Sequence, residues 1–242
     1  MKKLAIAAAA LVLGTAGASA ADLAARPYTK APAPVAAVYN WTGFYIGAQV
    51  GYAWGDNSTR EFVTATGVPT GFVQGFNADG VVGGGHIGYN WQFGQFVFGL
   101  EGDLEGSDVK GGYRLGNLNG TDFRIDAQAS IRGRLGVAFN NSLLYVTGGA
   151  AWADMDHTYV LANALFETVS TTRTGWTVGA GWEYGFTPNW SARVEYRYTD
   201  FGNFRNASTA AFPGFSYEHD PVFHTVRAGV SYRFGGPAVS AY

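Results

Sequence analysis

The sequence predicts an all-β fold, an eight-stranded antiparallel up-and-down transmembrane β-barrel, on three observations. Eight segments alternate apolar and polar residues with the period of two that a strand with unlike faces requires. The connections between them are alternately long and short, the rhythm of a barrel with turns at one rim and loops at the other. The charges of segments three, four, seven and eight share one face, and the opposite face is unbroken apolar and aromatic surface.

The chain begins MKKLAIAAAALVLGTAGASA, with Lys2 and Lys3, an apolar run from Leu4 to Leu13 and the small-residue site Ala18-Ser19-Ala20. This is the plan of a secretory signal peptide cleaved after Ala20. The apolar run is about ten residues, short of the roughly 20 of a spanning helix. Loss of the two lysines takes the net charge from -2 to -4, and no basic patch points to nucleic acid. There is no cysteine, so neither disulfides nor a thiolate metal site can hold this fold. Residues 21–40, with Pro27, Pro32 and Pro34 among alanines, read as an Ala/Pro-rich linker on the periplasmic side. The barrel is expected over 41–234 and a short C-terminal tail over 235–242.

Segment one, WTGFYIGAQVGYAWG, sets Phe44, Ile46, Ala48, Val50, Tyr52 and Trp54 on one face. Segment two sets Ile87, Tyr89 and Trp91 against His86, Gly88 and Asn90, and segment three sets Phe96, Phe98, Leu100 and Leu104 against Glu101, Asp103 and Glu105. Segment four runs from Phe123 to Phe139, with Phe123, Ile125 and Ile131 opposite Arg124, Asp126, Arg132 and Arg134. Segment five favours Leu144, Val146, Ala150 and Trp152 as its apolar face. Segments six and seven oppose Trp176, Val178 and Trp182 to Glu183, and Trp190, Val194 and Tyr196 to Arg193, Glu195 and Arg197. Segment eight, VRAGVSYRF, opposes Val226, Val230, Tyr232 and Phe234 to Arg227 and Arg233. Turns are expected near Gly94, Asn140-Asn141 and Thr187-Pro188-Asn189, and external loops over 56–78, 107–122, 156–170 and 202–220.

The charged face must look inward. Arg or Lys toward lipid near the midplane costs about 2–4 kcal/mol each, so three would offset a typical stability of about 5–15 kcal/mol. A soluble barrel would need the reverse arrangement and would overfill a narrow interior with aromatics. Aromatics also gather near both ends of the segments, as two interfacial girdles would. An eight-stranded lumen is just filled by side chains. A charge network of Glu101, Asp103, Glu105, Asp126, Arg132, Arg134, Glu183, Arg193, Glu195, Arg197, Arg227 and Arg233 is therefore expected to plug it. Glu101 is expected to pair with Arg132 or Arg134, and Glu183 with Arg193.

The stretches AADL, WTGFYIGAQVGYAWG, GGGHIGYNWQ, VEYRYTDFG and VSYRF resemble the small OmpA-like outer-membrane β-barrel proteins, often called outer-membrane immunogenic or porin-family surface proteins of Gram-negative bacteria. The resemblance spans nearly the whole chain. It implies the cell outer membrane as location, with outer-membrane lipid and the barrel-assembly machinery as partners. It also implies an insertion signal in the closing strand, here Tyr232 and Phe234. The chain departs from that pattern in the GGPAVSAY that follows, because Pro237 cannot simply extend a strand.

The expected role is structural and surface-exposed, with any surface ligand unidentified. The alternatives are a small-solute porin, a haem-type ligand carrier using His86, His157, His219 or His224, or an enzyme. An enzyme would draw on Asp154, Asp156 and His157 or on Ser216, His219 and Asp220. No catalytic, cofactor or metal residue is assigned, since scattered histidines are more often ordinary polar residues. GGGHIG over 83–88 matches a dinucleotide fingerprint formally, but the period of two continues where a helix should begin.

Overall fold

The computed structural model describes residues 39–116, 119–162 and 165–235. The expected signal peptide, the linker up to residue 38 and the tail from 236 lie outside them. The strands are β1 (Gly43–Val63), β2 (Pro69–Phe93), β3 (Phe96–Leu115), β4 (Asn119–Phe139), β5 (Ser142–Leu161), β6 (Leu165–Gly185), β7 (Trp190–Asp200), β8 (Phe204–Ala207) and β9 (Phe215–Arg233). From β1 to β7 each strand pairs antiparallel with its sequence neighbour, β7 and β8 both pair antiparallel with β9, and β1 closes the ring on β9 from Tyr45↔Arg233 to Val63↔Phe215. The ring has eight positions because β7 and β8 share one. β7 runs along β9 as far as Asp200↔Val222, and after a break at Gly202 (φ 65°) β8 resumes at Phe204↔His219.

The expected turns join β2 to β3, β4 to β5 and β6 to β7 at one rim. Asn140 there takes the left-handed conformation (φ 52°) that asparagine tolerates better than most residues. The expected long loops are largely strand. β1 and β2 are joined only by 64–68, and β1 to β6 all run on far beyond their apolar segments. Sequence periodicity lost them because inward polar residues such as Asn57, Thr59 and Thr121 interrupt the apolar phase there.

An outward band of Phe, Ile, Val, Leu, Tyr and Trp encircles the lower half of the ring. It runs over 44–54 of β1, 81–93 of β2, 96–104 of β3, 131–139 of β4, 144–152 of β5, 176–185 of β6, 190–198 of β7 and 224–233 of β9, with Phe186 and Phe234 just beyond the ends of β6 and β9. Within the band the interior is polar and charged. Above it the polarity inverts: Ala53, Phe76, Val82, Phe123, Ile125, Met155, Phe204 and Phe223 fill the interior, while Asp56, Asp122, Arg124, Asp126 and Asp154 face out. The chain is thus a membrane barrel below and is built like a water-soluble barrel above.

That inversion corrects the expectation for Arg124 and Asp126. The β4–β5 register shifts between Ile125 and Ala127, so Asp126 is an extra residue with no partner across the ladder. A one-residue bulge turns every following side chain to the other face. Gln128, Ser130, Arg132 and Arg134 therefore point inward below it, whereas Phe123 and Ile125, expected on the lipid face, point inward above it. Arg124 and Asp126 pair with each other on the outside, about half exposed.

Candidate functional site

The lower interior is layered. At its floor Tyr39 and Trp41 pack with Val97, Ala138, Leu143 and Tyr145, so the end of the expected linker is part of the barrel. The Arg233 guanidinium lies 4.5 Å from the Tyr39 ring centre and donates to the Pro188 carbonyl at 2.5 Å. Arg233 thus belongs to this floor and not to the ion-pair network.

Above the floor, Glu101, Asp103, Glu105, Glu183 and Glu195 face Arg132, Arg134, Arg193, Arg197 and Arg227, all but fully buried. The carboxylates come from β3, β6 and β7 and the guanidiniums from β4, β7 and β9, each at an inward position of the period of two. Arg132 reaches Glu101 at 2.5 Å, Asp103 at 3.0 Å and Glu195 at 2.6 Å. Arg227 reaches Glu195 at 2.6 Å and Glu105 at 3.0 Å, and Arg197 reaches Glu105 at 2.7 Å and Asp103 at 3.2 Å. Glu183, directly across the ladder from Arg193, pairs instead with Arg134, and Arg193 crosses the lumen to Glu101. The expected Glu183–Arg193 pair is replaced because a longer reach lets every charge meet an opposite one.

Neutral groups complete the network. The Tyr45 hydroxyl donates to Glu101 at 2.8 Å, the Tyr145 hydroxyl to Glu195 at 2.9 Å, the Gln49 amide to Glu105 at 2.8 Å and the Ser130 hydroxyl to Asp103 at 2.5 Å. Arg134 also lies 3.7 Å over the Tyr145 ring. Reasoning from charge alone missed these groups, although their inward phase in the alternation marks them. Charges buried this deeply are tolerable only when paired and hydrogen-bonded, and here five of each sign neutralise one another.

The histidines scatter. His86 sits in the charged layer, its Nε2 2.8 Å from the Ser231 hydroxyl. His224 is on the outer wall, stacked on Trp54 and bonded to the Tyr196 hydroxyl at 2.6 Å. His157 and His219 are buried above the apolar layer with ring centres 4.1 Å apart. Burial, with Arg173 nearby, holds His157 down to about 4, and burial with the His157 neighbour holds His219 well below the usual imidazole range. The candidate acid-base groups do not converge: His157 and His219 point in, Ser216 is buried on the opposite face of β9 from His219, Asp154 and Asp220 face solvent and Asp156 is partly exposed on the outer side. Among the described residues no cluster of three or more metal-ligating side chains occurs.

The upper rim is held by a carboxylate. No backbone ladder joins β6 to β8, and Glu167 of β6 spans that gap. It accepts from the backbone N–H groups of Thr209, Ala210 and Ala211 at 2.8–3.1 Å and from the Ser208 and Thr209 hydroxyls. Partial burial would raise its carboxyl, but these donors prevail and hold it down to about 2. A depressed carboxylate stabilises above its unfolded value and loses that contribution as pH falls through its folded value. Limited proteolysis of the 208–214 loop is therefore expected to stay slow from neutral pH to about 4.5, and to accelerate as pH falls from there toward 2. Glu167→Gln should show the faster cleavage already at neutral pH.

A groove of about 570 Å³ lies on the outer wall between Phe98, Leu135, Val137, Leu144 and Val146, within the apolar band.

Residues 6–234 match the model of the outer membrane protein beta-barrel domain family. The chain is 35% identical over 251 residues to the 31 kDa outer-membrane immunogenic protein of Brucella melitensis, covering 97% of this chain and 100% of that relative. It is 34% identical over 235 residues to the 25 kDa outer-membrane immunogenic protein of Brucella abortus, covering 97% and 99%. The outer membrane protein OprG from Pseudomonas aeruginosa shares the fold at a TM-score of 0.52 and 11% identity, over 81% of this chain and 99% of that one. With its closed ring, its lipid-facing band and these relatives, the chain belongs to the outer-membrane β-barrel protein family and is a protein of the cell outer membrane.

Proposed function

We propose that the protein is a structural and surface-displayed component of the outer membrane, and neither an open pore nor an enzyme. The observation that carries this reading is the charged layer, where five carboxylates and five guanidiniums from opposite walls meet across the lumen within hydrogen-bonding distance. A solute crossing there must break several buried charge pairs at once. The apolar layer and the aromatic floor add two further obstructions. Above the band the strands raise a polar outer surface, the part of the molecule a surface antigen would present. Purified protein in planar bilayers is expected to give no large, stable single-channel conductance; sustained conductance steps of porin size would overturn the reading.

In the same reading Tyr232 and Phe234 form the signal that the barrel-assembly machinery takes up, and outer-membrane lipid meets the band. Phe234 is exposed at the lower rim, its N–H bonded to the Phe44 carbonyl and its ring beside Phe44 and Tyr232. The closing ladder is complete before residue 235. Deletion of residues 235–242 is therefore expected to leave the yield of heat-modifiable barrel in the outer membrane unchanged, whereas Phe234→Ala in the truncated chain should lower it.

A further inference from the structure

At the outer mouth, above the histidine pair, lies a small cavity of about 120 Å³. Five aromatic residues, Phe72, Tyr113, Tyr159, Phe212 and Tyr217, line it together with Glu61, and Leu115 and residues 119–121 at the β3–β4 end complete the wall. Tyr159 and Tyr217 stack with centres 5.0 Å apart, Phe212 meets Tyr217 edge-on at 6.1 Å, and Phe72 lies 6.3 Å from Tyr113. Glu61 accepts from the Tyr217 hydroxyl at 3.0 Å and the Thr70 hydroxyl at 2.9 Å. It has no ion-pair partner among the described residues; the ion pairs of the upper barrel engage Asp108, Asp122, Asp126 and Glu218 instead.

A carboxylate without an ion-pair partner beside five aromatic rings is an environment that favours one kind of guest. Ring faces carry negative potential and attract cations, most strongly where water is excluded. Glu61 repels anions. A hard metal ion would want about six or more oxygens, several of them charged, whereas Glu61 is the one carboxylate in the lining and belongs to no cluster of three or more metal-ligating side chains among the described residues. A cation whose charge is spread over methyl groups sheds water readily and matches an apolar wall. The volume is several times the roughly 10–15 Å³ that admits one water, yet well below the roughly 300–1,000 Å³ of larger ligand pockets, so it suits a head group and not a large planar ligand. The Tyr217 phenol is raised by its burial and then by its bond to Glu61, in keeping with a site of negative potential.

We propose that this cavity binds a quaternary ammonium cation of the choline class, its methylated head among the rings and its charge opposite Glu61. The lining residues lie at the outer ends of the strands, so the head group can come from a free solute or from a choline lipid of an apposed membrane.

The test is titration of choline into the full protein folded in a maltoside detergent, which carries no ammonium group, followed by tyrosine fluorescence. Saturable binding is expected, weakened roughly tenfold or more by Glu61→Gln and by Phe72→Leu. The neutral isostere 3,3-dimethylbutan-1-ol should bind roughly tenfold more weakly than choline. Each variant is checked for its heat-modifiable band, and Phe72→Leu carries the test if Glu61→Gln does not fold. Absence of saturable choline binding, equal binding of the isostere, or unchanged affinity in both folded variants would overturn the proposal. Co-flotation with phosphatidylcholine but not phosphatidylglycerol vesicles would assign the lipid source; saturable choline binding without that preference would assign the free solute.

Discussion

Glu195→Gln is expected to destabilise the folded barrel by about 3–5 kcal/mol. The Glu195 carboxylate is buried and joins Arg132 at 2.6 Å, Arg227 at 2.6 Å and the Tyr145 hydroxyl at 2.9 Å. The amide keeps the shape but removes the charge that two buried guanidiniums share. Their remaining partners, Glu101 and Asp103 for Arg132 and Glu105 for Arg227, are themselves committed to Arg193 and Arg197. The layer is left with an uncompensated positive charge in a region water enters poorly, and it is that orphaned charge that is costly. The urea midpoint of unfolding, read from gel mobility of unheated samples, should fall accordingly. Asp154→Asn, on the solvent face above the band, should stay within about 0.5 kcal/mol of wild type. Equal effects at the two sites would mean that the charged layer is hydrated and contributes little.

The second large effect separates the two halves of the barrel. Val230 lies in the middle of the band, between Ala48 on β1 and Ala192 on β7, with its side chain toward lipid. Val230→Arg places a guanidinium near the midplane and should cost about 2–4 kcal/mol, with a matching loss of folded yield in lipid vesicles. Val73 is more exposed than Val230, at 61% against 45%, yet it stands on the upper part of β2 opposite Arg60. There the surroundings are water, so Val73→Arg should change stability by less than about 0.5 kcal/mol. Exposure alone would rank the two the other way round.

These contrasts show what could be read from the chain and what could not. Within the band a period of two with apolar and polar faces is the only pattern a lipid-facing strand allows, so the eight segments, their turns and the inward phase of Arg132, Arg193, Glu195 and Arg227 were legible. Above the band the enclosed apolar face is interrupted by polar residues such as Asn57, Thr59 and Thr121, and strand and loop look alike; hence residues 56–63 and 107–115 read as loop although they belong to paired strands. The bulge at Asp126 was hidden because an alternating stretch does not reveal where a partner strand omits a residue. Pairing choices such as Glu183 with Arg134 were hidden for another reason. Arginine reaches across the lumen, and the choice depends on which carboxylates the other walls present. The Glu167 clasp and the Glu61 cavity join residues distant in sequence and leave no local signal.

The central claim is that polarity inverts along the barrel, with charges enclosed at the level of the band and apolar side chains enclosed above it. Because the chain contains no cysteine, single cysteines from 121 to 139 of β4 can each carry a nitroxide whose collisions with oxygen and with a water-soluble nickel complex are measured in lipid bilayers. Oxygen accessibility is expected at 131, 135 and 137, nickel accessibility at 122, 124 and 126, and low values for both at 123, 125, 128, 130 and 132, with the phase changing at 126. A single unbroken period of two from 121 to 139, with 123 and 125 oxygen-accessible and 124 and 126 enclosed, would contradict it.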